Sequence, residues 1–181
     1  IDSLISLKNE GKIRAIGVCN FSEGEIVNCN TDLIASNQIE FNLSNRVAEK
    51  ELLSFHKKKD LTTIAYSPFN GVKDLLPGSN KKKILDSLIA KYSATSFQIV
   101  LSFLTNYKNM LVTYSSTNSN HIIENTDLLD IEKKDFKLIS DIFSSSVMLI
   151  DPQSIRVLSD KFNKFYNSLH EAELNEYNYF P

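Results

Sequence analysis

Cysteine is scarce: Cys19 and Cys29 are the only two in 181 residues, with three histidines beside them. That is too few ligands for a zinc site and too few pairs for a disulfide framework, so reduced thiols are the expectation. No apolar run approaches the roughly 20 residues that a membrane-crossing helix needs. The opening IDSLISLKNEGK also lacks the charged start and apolar centre of a secretory signal. Neither sign of charge prevails, because 20 basic and 22 acidic residues are intermixed to a formal net charge of -2. Nucleic acid and anionic membranes select a one-sided basic surface and are therefore not expected partners. A cytoplasmic protein with a small neutral or anionic ligand fits these absences. Internal repeats and low-complexity tracts are missing as well, and so are the G-x-G-x-x-G turn and the G-x-x-x-x-G-K-[ST] phosphate loop.

What is present is a 42% hydrophobic share, sufficient for the core of one ordinary domain, and a regular alternation of segment types. Residues 2 to 10 form a short amphipathic pattern stopped by Gly11, and a strand follows over 13 to 18. Ser22 with Glu25 forms a capping-box signature for a helix over 23 to 30. A second strand is expected over 37 to 41, a helix over 47 to 59, and a third strand over 61 to 66, stopped by Pro68. A loop over 70 to 80 leads to two helices, 81 to 92 and the strongly apolar 95 to 107, then a fourth strand at 109 to 114. The segment STNSNHIIEN crowds Ser, Thr and Asn at the start of a short helix, a setting in which backbone N–H groups can hold a phosphate or merely cap the helix. KKDFKLISDIF closes the pattern with a further amphipathic helix. Four strand-then-helix units define an α/β class and suit either an open doubly wound sheet or half of an eight-fold barrel. Periodicity leaves both open, although the missing glycine fingerprint weakens the first.

Four segments in order carry a family resemblance. EGKIRAIGVCNFS at 10 to 22, NQIEFNL at 37 to 43, ELLSFHKKKDLTTIAYSPF at 51 to 69 and NHIIEN at 120 to 125 resemble successive motifs of the aldo-keto reductases, with Cys19 where that family usually has Ser. The resemblance covers residues 1 to about 145. It implies a partial TIM (β/α)8 barrel, strands five to eight with their helices, and a chain that is a piece of a longer product, as the non-Met start also indicates. The family's proton-donating Tyr and its Asp, Lys and His partners lie in the other half of the barrel, so no catalytic residue is assigned here. The N-terminal barrel half becomes an expected partner, because half a parallel barrel leaves two strand edges unpaired.

For this half the resemblance implies a site for NADPH or NADH and, in the whole protein, a small carbonyl substrate. Asn20 and Gln38 correspond to the residues holding the nicotinamide carboxamide, and Tyr66 to the aromatic against its ring. Ser67 corresponds to the region crossing the pyrophosphate, although the loop that follows, SPFNGVKDLLPG, lacks the family's glycines. Ser116, Asn118 and His121 are the phosphate-facing candidates, with Glu124 and Asn125 near adenine. Ser115 and His121 stand where a Lys and an Arg clamp a ribose 2'-phosphate, so the charge complement is weaker and a preference between NADPH and NADH is not implied.

Cys19 is expected to be a packed thiol, Cys29 and His56 to be helix residues without chemistry, and the runs 57 to 59 and 81 to 83 to be solvated lysines. Residues 1 to 146 are assigned to the barrel half, and 147 to 181, including His170, to an extension or the start of a second domain. Two functions follow. One is the cofactor-binding half of an NAD(P)H-dependent oxidoreductase reducing aldehydes or ketones to alcohols, with this segment inactive alone. The other is a non-catalytic binding or regulatory subunit of the same ancestry.

Overall fold

The computed structural model describes residues 1 to 73 and 75 to 144; the extension expected at 147 to 181, with His170, lies outside the described residues. Four parallel strands, β1 (Ile16–Cys19), β2 (Ile34–Glu40), β3 (Thr62–Tyr66) and β4 (Met110–Val112), alternate with helices. The helices are α1 (Asp2–Asn9), α2 (Glu23–Asn28), α3 (Leu52–Lys58), α4 (Asn80–Tyr92), α5 (Ser96–Thr105), α6 (Ser119–Thr126) and α7 (Lys133–Ile142). The strand order is β1-β2-β3-β4, each strand paired in parallel with the next in sequence. An open doubly wound sheet reverses its order at a switch point, whereas a barrel adds strands in one direction. The unreversed order, in parallel strands, is what part of a barrel shows.

Alternation along the strands gives the sheet two unlike faces. Ile16, Asn37, Ile39, Thr63, Ala65 and Met110 are buried under the helices. The other face carries a lateral row, Cys19, Gln38, Ile64 and Leu111, in direct register, and Leu111 is 60% exposed there. Cys19 is thus an exposed thiol rather than the packed one expected. Gly17 lies on this same face, where a Cβ would stand 2.6 Å from Ser36 Oγ, so a larger residue there would have to turn the Ser36 hydroxyl aside.

The core under the sheet is built on α5, where Ile99, Val100, Leu101, Phe103 and Leu104 are all buried, after a capping box made by Thr95 and Gln98. Phe103 stacks on Phe136 of α7 with ring centroids 4.7 Å apart and meets Tyr107 edge-on. A second cluster, Ile16, Ile26, Ile34, Phe55 and Leu61, seals the β1 end. Buried Arg46 forks onto Glu49 at 2.6 and 2.8 Å and reaches the Ser140 carbonyl at 2.7 Å, tying the loop after β2 to α7. Tyr107 donates to the same carboxylate, and its own burial, with that carboxylate beside it, pushes its pKa well up. On the far side Asp135 of α7 accepts from Lys91 at 2.5 Å and from the Tyr92 hydroxyl at 2.6 Å, both from α4. The Lys91 bond, then the Tyr92 bond, hold the Asp135 carboxyl below its usual range.

Three local expectations change. The first strand begins at Ile16 rather than residue 13 and includes Cys19. The second strand starts at Ile34, three residues early, because Ile34 and Ile39 are both needed to close the core. The single helix expected over 47 to 59 is a 3₁₀ turn, Val47–Glu49, followed by α3, with Val47 64% exposed instead of facing the core. Arg46, not Val47, is the residue drawn inward there. Nor are all the lysines of 81 to 83 simply solvated, since Lys81 lies over the Phe143 ring and Lys82 pairs with Asp86.

Candidate functional site at the carboxyl ends of the strands

Because the strands are parallel, their carboxyl ends share one edge of the sheet, and the loops leaving them form the candidate site. β1 ends at Cys19, and Asn20 follows with φ 57°; β3 ends at Tyr66, and Ser67 follows with φ 53°. Left-handed backbone in a non-glycine residue is unusual and turns the chain abruptly, here twice on the same edge. Asn tolerates this conformation because its short side chain can bond locally. The Asn20 N–H donates to the Gln38 carbonyl at 2.7 Å, and the Tyr66 hydroxyl donates to Asn20 Oδ1 at 3.2 Å. Three residues singled out from the sequence thus meet across three adjacent strands.

Behind this corner Asn37, fully buried, accepts from the Phe21 N–H at 3.3 Å and donates to the Phe21 carbonyl at 2.7 Å. Its amide also faces His56 Nε2 at 3.3 Å, while His56 Nδ1 lies 2.8 Å from Thr63 Oγ1. His56, expected to be an idle helix residue, is 1% exposed, and burial lowers its pKa. After Phe21 the expected capping box is in place: the Glu25 carboxylate accepts from the Ser22 N–H at 2.8 Å and hydroxyl at 2.6 Å, which lowers the Glu25 pKa.

Two open clefts divide the edge. One, of ≈ 480 Å³, includes Asn20, Phe21, Glu40, Val47, Glu51 and Tyr66 in its lining. The second, of ≈ 400 Å³, is lined by Ser67, Phe69, Asn70, Lys73, Thr113 and Ser115, with Pro68 and Tyr114. Glu40 joins the loops above them, accepting from Asn42 Nδ2 at 3.2 Å and Asn70 Nδ2 at 3.4 Å. Gly71 lets these loops touch: at φ 85°, a Cβ on it would stand 2.8 Å from Ser44 Cβ.

The remaining candidates lie around α6. Ser116 Oγ and Asn118 bond to each other, accepting from the Asn118 N–H at 3.1 Å and donating to its carbonyl at 3.3 Å. Asn118 Oδ1 caps the helix through the Asn120 N–H at 2.9 Å. His121 and Glu124 are exposed and share a third shallow cleft with Asn120 and Ile123. Asn125, paired with Glu124 in the sequence reading, is only 4% exposed, and its Oδ1 has no hydrogen-bond partner among the described residues. The structure therefore separates these two.

Sequence reasoning passed over Glu40 and Lys73. Glu40 was within reach, since it stands two residues after Gln38 and so on the same strand face. Lys73 had no signal beyond being a cation in a loop of altered sequence. Among the described residues no cluster of His, Cys, Asp and Glu could hold a metal ion, and no helix is long and apolar enough to cross a membrane.

Known proteins share this chain's sequence and fold over most of the described residues. The family model described as "Aldo/keto reductase family" matches residues 1–143. An aldo-keto reductase of Mycolicibacterium paratuberculosis is 28% identical over 158 residues, covering 84% of this chain and 52% of the relative. An aldehyde reductase of Saccharomyces cerevisiae is 30% identical over 141 residues, 75% of this chain and 43% of the relative. Among solved structures, the Bombyx mori aldo-keto reductase in complex with NADP superposes with a TM-score of 0.65 at 26% identity, over 76% of this chain and 47% of that one. The chain spans about half the length of the curated relatives it matches. With a family match over 143 of 181 residues and a parallel sheet consistent with part of that family's barrel, the chain belongs to the aldo/keto reductase family.

Proposed function

We propose that this chain supplies strands five to eight of a (β/α)8 barrel and forms the nicotinamide-binding half of an NAD(P)H-dependent oxidoreductase that reduces aldehydes or ketones to alcohols. The observation that carries the reading is that Asn20 meets the Gln38 backbone carbonyl at 2.7 Å and the Tyr66 hydroxyl at 3.2 Å, on three adjacent strands. Two carboxamides, each with a donor and an acceptor, match the complementary pair on a nicotinamide carboxamide, and Tyr66 offers an aromatic face beside them. Ser67, Thr113 and Ser115 bring hydroxyls, and Lys73 a cation, to one cleft, a donor set suited to a pyrophosphate. The bound nicotinamide supplies hydride; this half's own residues bind and orient it, and the proton donor is assigned to the other half.

The completing half is a barrel segment of the same protein. Among the described residues β1 and β4 each pair on one side only, and the row Cys19, Gln38, Ile64, Leu111 faces away from the helices. Exposed parallel edges and an apolar Leu111 are what a second half would cover. This segment alone is then inactive, and a cytoplasmic location fits its reduced thiols.

A second reading, a non-catalytic relative, is favoured by one observation: His121 is exposed, and no Lys or Arg lies in the segment 115–126 that leads into and forms α6. Titrating NADPH and NADH into protein expressed from the complete gene separates the two. Micromolar binding that is lost in Tyr66→Ala and Gln38→Ala supports the reductase; a folded protein that binds neither nucleotide overturns it.

A further inference from the structure

The polar group behind the strand-end corner has a handedness that its distances fix. Phe21 N–H points at one end of the Asn37 carboxamide (3.3 Å) and Phe21 C=O at the other (2.7 Å), so the amide oxygen faces the N–H and the NH₂ faces the carbonyl. The same NH₂ is the atom facing His56 Nε2 at 3.3 Å. An amide NH₂ can only donate, so Nε2 must present its lone pair. A neutral imidazole carries one N–H, which then sits on Nδ1 and donates to Thr63 Oγ1 at 2.8 Å.

We propose that His56 is a positioning residue: held as the neutral Nδ1–H tautomer by Thr63, it fixes the Asn37 carboxamide so that both its ends clamp Phe21 and hold the neighbouring Asn20 at the strand ends. Its consequence for cofactor binding rests on the reading of Asn20 as a carboxamide contact. Asn37 and Thr63 are buried on the helix-covered face of β2 and β3, and His56 reaches them from α3. The three side chains thus connect the helix layer to Phe21, which with the preceding Asn20 and with Tyr66 lines the ≈ 480 Å³ cleft.

Protonation breaks the arrangement. An imidazolium presents N–H at both nitrogens, and Nε2–H would then confront the Asn37 NH₂, donor against donor. Rotating the amide to offer Oδ1 to the ring turns NH₂ toward the Phe21 N–H and the oxygen toward the Phe21 carbonyl, and both clamp bonds are lost. The ring's partners on β2 and β3, Asn37 and Thr63, are uncharged. Burial is the only cause of its lowered pKa, with no charged side chain of α2, α3, β2 or β3 contributing.

The experiment uses protein from the complete gene, with ¹⁵N-histidine, in wild type, His56→Leu and His56→Gln. The long-range imidazole spectrum at neutral pH is expected to show His56 protonated at Nδ1 and bare at Nε2; the opposite tautomer or an imidazolium overturns the proposal. His56→Leu keeps the volume but removes the acceptor, and is expected to weaken NADH binding about tenfold, with faster exchange of the Phe21 amide. His56→Gln keeps an acceptor that cannot be protonated. It is expected to bind NADH within about twofold of wild type at neutral pH and to escape the acid-induced weakening that wild type suffers. NADH avoids titration of a 2'-phosphate. Equal affinity of wild type and His56→Leu across the pH range overturns the proposal. If wild type binds neither nucleotide, the cofactor reading fails separately, and the tautomer and the Phe21 amide exchange decide the clamp alone.

Discussion

The Tyr66 hydroxyl donates to Asn20 Oδ1 at 3.2 Å, joining the end of β3 to the corner after β1 across 46 positions of sequence. On β2, which lies between them, the Gln38 carbonyl accepts from the Asn20 N–H at 2.7 Å. Removing only the hydroxyl, in Tyr66→Phe, leaves the aromatic face and frees the Asn20 side chain. The expected result is a loss of NADPH affinity of roughly fivefold, about 1 kcal/mol, against a larger loss in Tyr66→Ala. Fluorescence titration of both variants checks it; equal affinity of Tyr66→Phe and wild type would mean that the bond does not order Asn20 for binding.

His56 makes folding stability depend on pH. Its ordinary value is 6.5, and burial lowers it in the folded protein. As pH falls below 6.5 the unfolded chain takes up this proton before the folded one does. The stability that the neutral ring contributes is therefore complete above 6.5 and is lost progressively as the pH falls through the folded-state value. Urea unfolding at a series of pH values should show this slope in wild type and a flatter one in His56→Gln. Identical slopes would show that the ring is not buried neutral.

Gly71→Ala is expected to cost about 1 to 2 kcal/mol, the strain of a left-handed residue with a side chain. Here φ is 85° and the new Cβ would meet Ser44 Cβ at 2.8 Å and Ser44 N at 2.9 Å, both parts of a turn pinned by Asn42. The strain falls on the loops above the two clefts, so nucleotide affinity should drop with stability. Thermal unfolding and titration of the variant test both; an unchanged Tm would mean that the two loops do not meet.

Tyr92 sits between α4 and α7, donating to Asp135 at 2.6 Å and accepting from the Glu132 N–H at 3.0 Å. Tyr92→Phe removes both bonds while keeping the ring, at an expected cost of about 1 to 2 kcal/mol in denaturant unfolding. Because this latch lies in the helix layer, nucleotide affinity should not change. A variant that loses affinity while keeping its stability would contradict that separation.

Much of the fold was legible because its signals are local. The apolar density of 95 to 107 announced a buried helix, and α5 is one. Ser22 with Glu25 announced a helix start, and the box closes there. The helix expected over 47 to 59 failed for a reason no periodicity contains: Arg46 is drawn inward to Glu49 and Ser140, the latter 94 residues away, and turns Val47 outward. The site divides in the same way. Asn20, Gln38 and Tyr66 were found through motifs, and Glu40 stood one strand repeat from Gln38. Lys73 and the ring of His56 carried no local mark.

The sequence by itself determined the alternation of strands and helices, the caps that bound several of them and the residue types at each strand end, because those depend on neighbours a few positions apart. The tertiary structure alone decided the unreversed strand order, the exposure of Cys19 on the face away from the helices, the separation of Asn125 from Glu124 and the burial of His56 between Asn37 and Thr63. These depend on which residues from distant segments are brought within hydrogen-bonding distance, and burial then gives each such contact its weight.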